Sequence, residues 1–289
     1  MKNTKILGIV IIISIIAVYA GAKIYVTKLA KAEVDVAIAE TSDTTDITYK
    51  KVSVDLLGMD VHISDITVSP INSDEILKIN EIIIHDFDKE SEVPTFFSFS
   101  CNGIEVNIKE AGKEADKLRA LGYKDKMLAN ISAHYAFDKE KKELTLKNIG
   151  IGAEEAGNIM ISFRLGNINL EQEAVQTLFF TFPSLLLHDA QITYEDDSFI
   201  ERVMALEAQK SQTTLEEFKK SLFEELDEKI ANEKDDYTKK GLMEIKGFFE
   251  NPKKISLTAS PSEPLPLGAL MNIEDPKELI KLLNIKIKS

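Results

Sequence analysis

Four histidines, one cysteine and a few paired acids are the side chains able to carry chemistry in this chain of 289 residues. His62, His85, His134 and His188 stand singly, each in or beside an alternating, strand-like run. A lone strand histidine belongs most often to a polar face, because proton transfer or ligation needs a second group at hand. The densest cluster is His85-Asp86-Phe87-Asp88, which could offer three metal ligands on one loop. A solvated turn after the Ile82–Ile84 strand accounts for the same residues. Asp196-Asp197 and Glu216-Glu217 sit at helix starts, where the helix dipole explains paired acids without catalysis. Cys101 falls on the apolar side of a strand and reads as an inert core thiol; a single cysteine excludes an internal disulfide or a cysteine-based zinc site.

The motifs that would organise such groups are missing from the sequence. It contains no GxSxG, GxxxxGK[ST], GxGxxG or HExxH, and Gly150, Gly152 and Gly157 do not fit a dinucleotide loop. With no nucleophile–base pair and no metal constellation, the expectation is a non-enzyme with no catalytic residue, no cofactor and no metal. Asn130-Ile131-Ser132 forms a glycosylation sequon, meaningful only in a eukaryotic secretory pathway.

Apolar binding is the chemistry that remains. Phe97, Phe99, Ile131 and Phe163 lie mid-strand on apolar faces and are the candidate ligand-binding residues. The run Leu178–Leu187 (LFFTFPSLLL) exceeds what alternation in a half-buried strand produces; it is either core beneath helices or a greasy rim for lipid or a partner.

These residues must be positioned by a sheet. Val52 and Val54, Val61 and Ile63, and Ile66 and Val68 alternate with polar neighbours, and a one-residue phase shift at Ser64-Asp65 predicts a β-bulge. Leu77 and Ile79, then Ile82 and Ile84, repeat the slip. Asn102-Gly103 between two alternating runs predicts a hairpin turn. A short helix, Lys113–Leu121, ends at Gly122. Ala129 to Phe137 is the cleanest strand, followed by Leu144-Leu146 and Ile159-Leu165. Successive strands with short turns predict an antiparallel meander.

The last third turns helical, with Ser198/Glu201 and Thr214/Glu217 reading as capping boxes and a third helix running from Tyr237 to Glu250. Ala190-Tyr194, Ile255-Leu257 and Ile285-Ile287 are short strand-like pieces, and Asp275-Pro276 opens a final helix. The domain reading is 1–40, a membrane anchor and helical stalk; 41–170, an antiparallel β domain; and 171–289, an α+β region packed on the sheet. The fold class is therefore α+β: an N-terminal transmembrane helix, a curved antiparallel meander and a helical C-terminal third.

The anchor rests on Ile6–Ala22, an uncharged run bracketed by lysines, with a cleaved secretory signal and a buried core helix as rival readings. It implies a single-pass protein of the inner (cytoplasmic) membrane with its body in the periplasm or extracytoplasmic space, and the membrane as partner through residues 6–22. After Lys31 the chain carries all 48 acidic residues against 30 basic ones, a net charge of −18. Such a body is a poor partner for nucleic acid.

The anchor followed by VSVDLLGMDVHISDITVSP, with Gly58 at the turn, resembles the opening of AsmA-like envelope proteins. Leu118–Tyr123 and HYAFDKEKKELTLKNIGI are similar to uncharacterised bacterial envelope proteins. The AsmA-like resemblance implies a sheet groove able to hold acyl chains. The expected function is a non-enzymatic envelope protein binding lipid or another apolar ligand; the alternative is a structural accessory subunit of an envelope or secretion complex, with protein partners.

Overall fold

The computed structural model describes residues 27–55, 60–71, 73, 76–88, 90–91, 94–169, 181–271, 273 and 275–289. Helix α1 (Thr27–Glu40) leads into β1 (Thr45–Thr48), β2 (Lys51–Val54), β3 (Val61–Pro70), β4 (Leu77–Phe87) and β5 (Phe96–Asn107). A 3-10 turn and α2 (Lys113–Ala120) precede the long strands β6 (Lys126–Asp138), β7 (Glu143–Ala153), β8 (Gly157–Gly166) and β9 (Leu186–Asp196). Three helices follow: α3 (Phe199–Lys210), α4 (Leu215–Asn232) and α5 (Asp236–Glu250). The chain closes with β10 (Lys254–Ala259), β11 (Leu265–Pro266), α6 (Leu267–Leu270), α7 (Pro276–Leu282) and β12 (Lys286–Lys288).

The twelve strands of the described residues join one antiparallel sheet, ordered β1-β3-β4-β5-β6-β7-β8-β9-β10-β12, with β2 beside β3 and β11 beside β9. One edge is divided between two strands of four residues, β1 and β2, and the other is the three-residue β12. β2 and β3 pair with each other, and the turn expected at Gly58 lies outside the described residues.

This architecture corrects the expected fold class. The sheet does not stop near residue 170: β9 to β12 carry it through the C-terminal third. Ile192, Leu257 and Ile287 stand directly opposite one another, so runs too short to stand alone extend the larger sheet. Among the described residues no helix is long and apolar enough to cross a membrane. The longest described helix, α4 with 18 residues, carries charges along its whole length. The transmembrane, signal-anchor and inner-membrane readings are corrected accordingly; the run 6–22 that prompted them lies outside the described residues.

Local signals resolve in three ways. Asn102-Gly103 is no hairpin turn, because both residues lie inside β5. Cys101 pairs with Ile131 and Ile104 with Ala129, so two residues of β5 face Asn130 alone: a β-bulge. Gly103 has φ +64°, which a bulge requires as much as a tight turn does, and its N–H donates to Asn130 Oδ1 at 2.9 Å. The bulge expected at Ser64-Asp65 is likewise absent from the β3–β4 ladder, where Ser64 faces Glu81 and Ile66 faces Ile79 without a break. Both strands slip phase together there, so both apolar sets stay on one face. Finally, Thr214 and Glu217 form a full capping box, whereas Ser198 makes no cap bond. Its Oγ donates to the Glu155 carbonyl, and Asp196 accepts from the Ile200 N–H instead.

Candidate functional site

Directly opposed residues in a sheet project from the same face. Following the register strand by strand therefore traces two apolar rows. One runs Ile63, Ile82, Cys101, Ile131 and on through Ile151, Ile159, Tyr194 and Ile255. The other runs Val61, Ile84, Phe99, Ala133 and on through Ile149, Ile161, Ile192, Leu257 and Ile287. A single apolar face thus extends from β3 to β12.

Its two halves differ in cover. From β3 to β5 the rows are buried, in one core cluster with Ala30, Val34 and Ala37 of α1. From β7 to β10 they open: Ile151 is 55% exposed, Ile159 44%, Ile192 48% and Leu257 39%. Ile151 faces Ile159 directly, Ile192 faces Leu257 directly, and the two pairs are diagonal neighbours across β8 and β9. The exposure is therefore one contiguous strip. Helix α5 covers part of the same face beside the strip, where the Phe248 ring meets Tyr194 edge-on with centroids 6.2 Å apart.

The four residues expected to bind ligand do not meet in one groove. Phe97 and Phe99 are only 3% and 6% exposed, with ring centroids 5.3 Å apart, and Phe97 also packs on Tyr135. They are core. Ile131 is half-buried, with core Cys101 on one side and exposed Ile151 on the other, so it marks the boundary. Phe163 is half-buried between Leu146 and Ala190. The open strip consists instead of Ile151, Ile159, Ile192 and Leu257, aliphatic residues that carry no motif and stand out only by alternation. Of LFFTFPSLLL, residues 178–180 lie outside the described residues; Phe182–Ser184 form a 3-10 turn and Leu186-Leu187 enter β9.

The titratable candidates are committed to structure. His62 Nδ1 lies 2.9 Å from Glu81, and His85 lies 3.3 Å from Asp60 and 2.9 Å from Ser100 Oγ. His188 approaches Glu143 at 3.8 Å, and burial lowers the His134 pKa. Asp88 accepts from the backbone N–H groups of Glu90, Ser91 and Thr95 and from the Thr95 hydroxyl. Burial opposes its charge, but those bonds prevail and hold its carboxyl well below the usual carboxylate range. Burial alone pushes the Cys101 thiol up to about 12, as an inert core thiol requires. Among the described residues no group of three or more His, Cys, Asp or Glu side chains could hold a metal.

The opposite face carries a polar trough of about 560 Å³ along Asn102, Asn130, Ser132 and Asn158, ending at Glu195–Asp197. Its groups largely satisfy one another. Asn148 Nδ2 donates to Ser132 Oγ at 2.9 Å, Lys254 pairs with Glu195 at 2.9 Å, and Asp197 accepts from the Glu155 N–H.

A family model described as "Uncharacterized protein" matches residues 150–289, a span that begins in β7 and contains the whole open strip. A protein of Aquifex aeolicus (strain VF5), also described as an uncharacterized protein, is 30% identical over 298 residues, covering 97% of this chain and 97% of its own length.

Proposed function

The chain belongs to the same protein family as this Aquifex aeolicus relative, and from that premise we propose that it is a non-enzymatic binding protein taking an apolar chain, such as a lipid acyl chain, on the open half of its apolar sheet face. One observation carries the reading: Ile151, Ile159, Ile192 and Leu257 form an in-register strip left uncovered on a face that is elsewhere sealed. Contiguous exposed aliphatic surface is uncommon on monomeric proteins and marks interaction sites. The strip is built from branched aliphatic side chains without hydrogen-bonding groups, which suits a ligand that needs only to leave water.

The test is a solvent extract of the purified full-length chain analysed by mass spectrometry, set beside the Ile159→Glu/Ile192→Glu double variant. Acyl lipids in the wild type and their loss from a folded double variant support the proposal. A lipid-free wild type that associates with another protein through this strip turns the assignment to a structural accessory subunit.

A further inference from the structure

The polar face of the sheet brings together three residues that no local motif announces, since His85 lies 25 residues after Asp60 and 15 before Ser100. His85 Nε2 is 2.9 Å from Ser100 Oγ, and His85 Nδ1 is 3.3 Å from Asp60 Oδ2. An imidazole held between a serine hydroxyl on Nε2 and a carboxylate on Nδ1 is the arrangement that activates a serine nucleophile. The carboxylate fixes the tautomer. Nδ1 carries the hydrogen and donates it to Asp60, which leaves Nε2 to accept from the Ser100 hydroxyl.

Strand irregularity builds this contact. His85 is the extra residue of a β-bulge in β4, where Ile84 faces Phe99 and Asp86 faces Ser98. Bulges re-aim a side chain, and this imidazole reaches across to β5. Val61 faces Ile84, so Asp60, just before β3, sits beside His85.

Ser100 also lines the polar trough, and two hydrogen-bond donors stand next to it there. Ser132 is directly opposite on β6. Its Oγ accepts from Asn148 Nδ2 at 2.9 Å, so its own proton is left to donate. Asn130 Oδ1 accepts from the Gly103 N–H, and Nδ2, the other end of that amide, has no acceptor among the described residues. On β7, Gly150 faces Ser132 and Gly152 faces Asn130, so the floor beyond both donors carries no side chain. Glycine inside a strand often marks a place where a ligand comes close to the backbone. Glu154, Asp196 and Asp197 line the far end and set it against an anionic ligand.

We propose that Ser100 is an activated nucleophile that takes the acyl group of a small uncharged ester bound in the trough. Ser100 Oγ forms a bond to the carbonyl carbon, and the ester's bond to its alcohol oxygen breaks. The hydroxyl proton passes to His85 Nε2 and from there to the departing alkoxide. Ser132 Oγ–H and Asn130 Nδ2 donate to the carbonyl oxygen as it gains charge. Asp60 is a positioning residue, holding the imidazole through Nδ1. The product is the acylated chain, one acyl group per molecule. The site lies on the face opposite the apolar strip and does not rest on the binding reading.

Incubation of the full-length chain with p-nitrophenyl acetate, followed by intact mass and peptide mapping, tests it. One acetyl group per chain, on Ser100, is expected. Ser100→Ala should remove it, and His85→Ala should slow its formation about a hundredfold, within the range a general base supplies. Asp60→Asn should slow it by at least about tenfold at an unchanged melting temperature, with part of the rate returned in Asp60→Glu. A merely structural Asp60 would move the melting temperature and not the rate. Ile192→Glu, on the apolar strip, should leave the rate unchanged, so failure here leaves the binding reading standing. An unmodified Ser100, acetyl groups on lysines alone, or an unchanged rate in His85→Ala overturns the proposal. If His85→Ala does not fold, the mapped position in the wild type together with Ser100→Ala decides.

Discussion

The two halves of the apolar sheet face use the same residue types in the same register, yet one half is core and the other is surface. Val61, Ile84 and Phe99 lie in a cluster that includes α1; Ile161, Ile192 and Leu257 continue the same row into the open. Strand alternation therefore decides which side a residue projects from, not whether anything lies above it. That second property comes from helices remote in sequence, such as α1 over the sealed half.

The sharpest way to break the comparison is a pair of identical truncations. Phe99→Ala, in the sealed half, should cost about 3–5 kcal/mol, the scale for a packed phenylalanine. Phe163→Ala, half-buried in β8, should cost clearly less, because fewer of its contacts are within the protein. Chemical denaturation measures both, and equal losses would mean that the β8 region is packed as tightly as the core.

Gly103→Val probes the sealed half through its backbone. A valine there must hold a positive φ, and its Cβ would run into the Asn80 side chain. The expected cost is about 1–3 kcal/mol, the scale for strained backbone. An unchanged melting temperature would remove the bulge from the account of how β5 stays in register.

Asp88 gives the sealed half a pH signature. Its carboxyl is held below its unfolded value, so the stabilisation it adds is complete above the unfolded pKa and is lost as pH falls toward the folded one. Wild type should therefore lose stability on acidification below about pH 4, near the ordinary aspartate value. Asp88→Asn should show a shallower acid limb and a lower plateau at neutral pH. Parallel pH profiles for the two proteins would contradict this.

The smallest effect belongs to the open half. Ile192→Ser should change stability by no more than about 0.5 kcal/mol, as surface substitutions do. It should also reduce binding of a fluorescent apolar dye. A loss of several kcal/mol would place Ile192 in the core and close the strip.

Much of this architecture was legible residue by residue. Ala129 to Phe137 alternates cleanly and is β6; Thr214 with Glu217 reads as a capping box and forms one. The misreadings share a cause: one local chemistry serves two structures. Asn-Gly supplies a positive φ, which both a hairpin and a bulge use, and only the partner Asn130 on β6 distinguishes them. Ser198 has the right type and position for a cap, but its hydroxyl finds the Glu155 carbonyl on the β7–β8 turn. The strip was the hardest to foresee. Phe97 and Phe99 stood out by size, and size favours the core; smaller isoleucines line the open half.

The tapered ends of the sheet carry a consequence of their own. A long antiparallel sheet with an exposed aliphatic strip invites templated growth, in which one molecule's edge recruits the next into a fibril. Here the strands of ten to thirteen residues all lie in the interior, while β1, β2 and β12 offer three or four residues each. β12 places Lys286 and Lys288 on either side of Ile287, and lysine on an edge discourages the approach of another chain. The molecule can thus leave an aliphatic face uncovered while denying a second copy the backbone ladder it would need to polymerise.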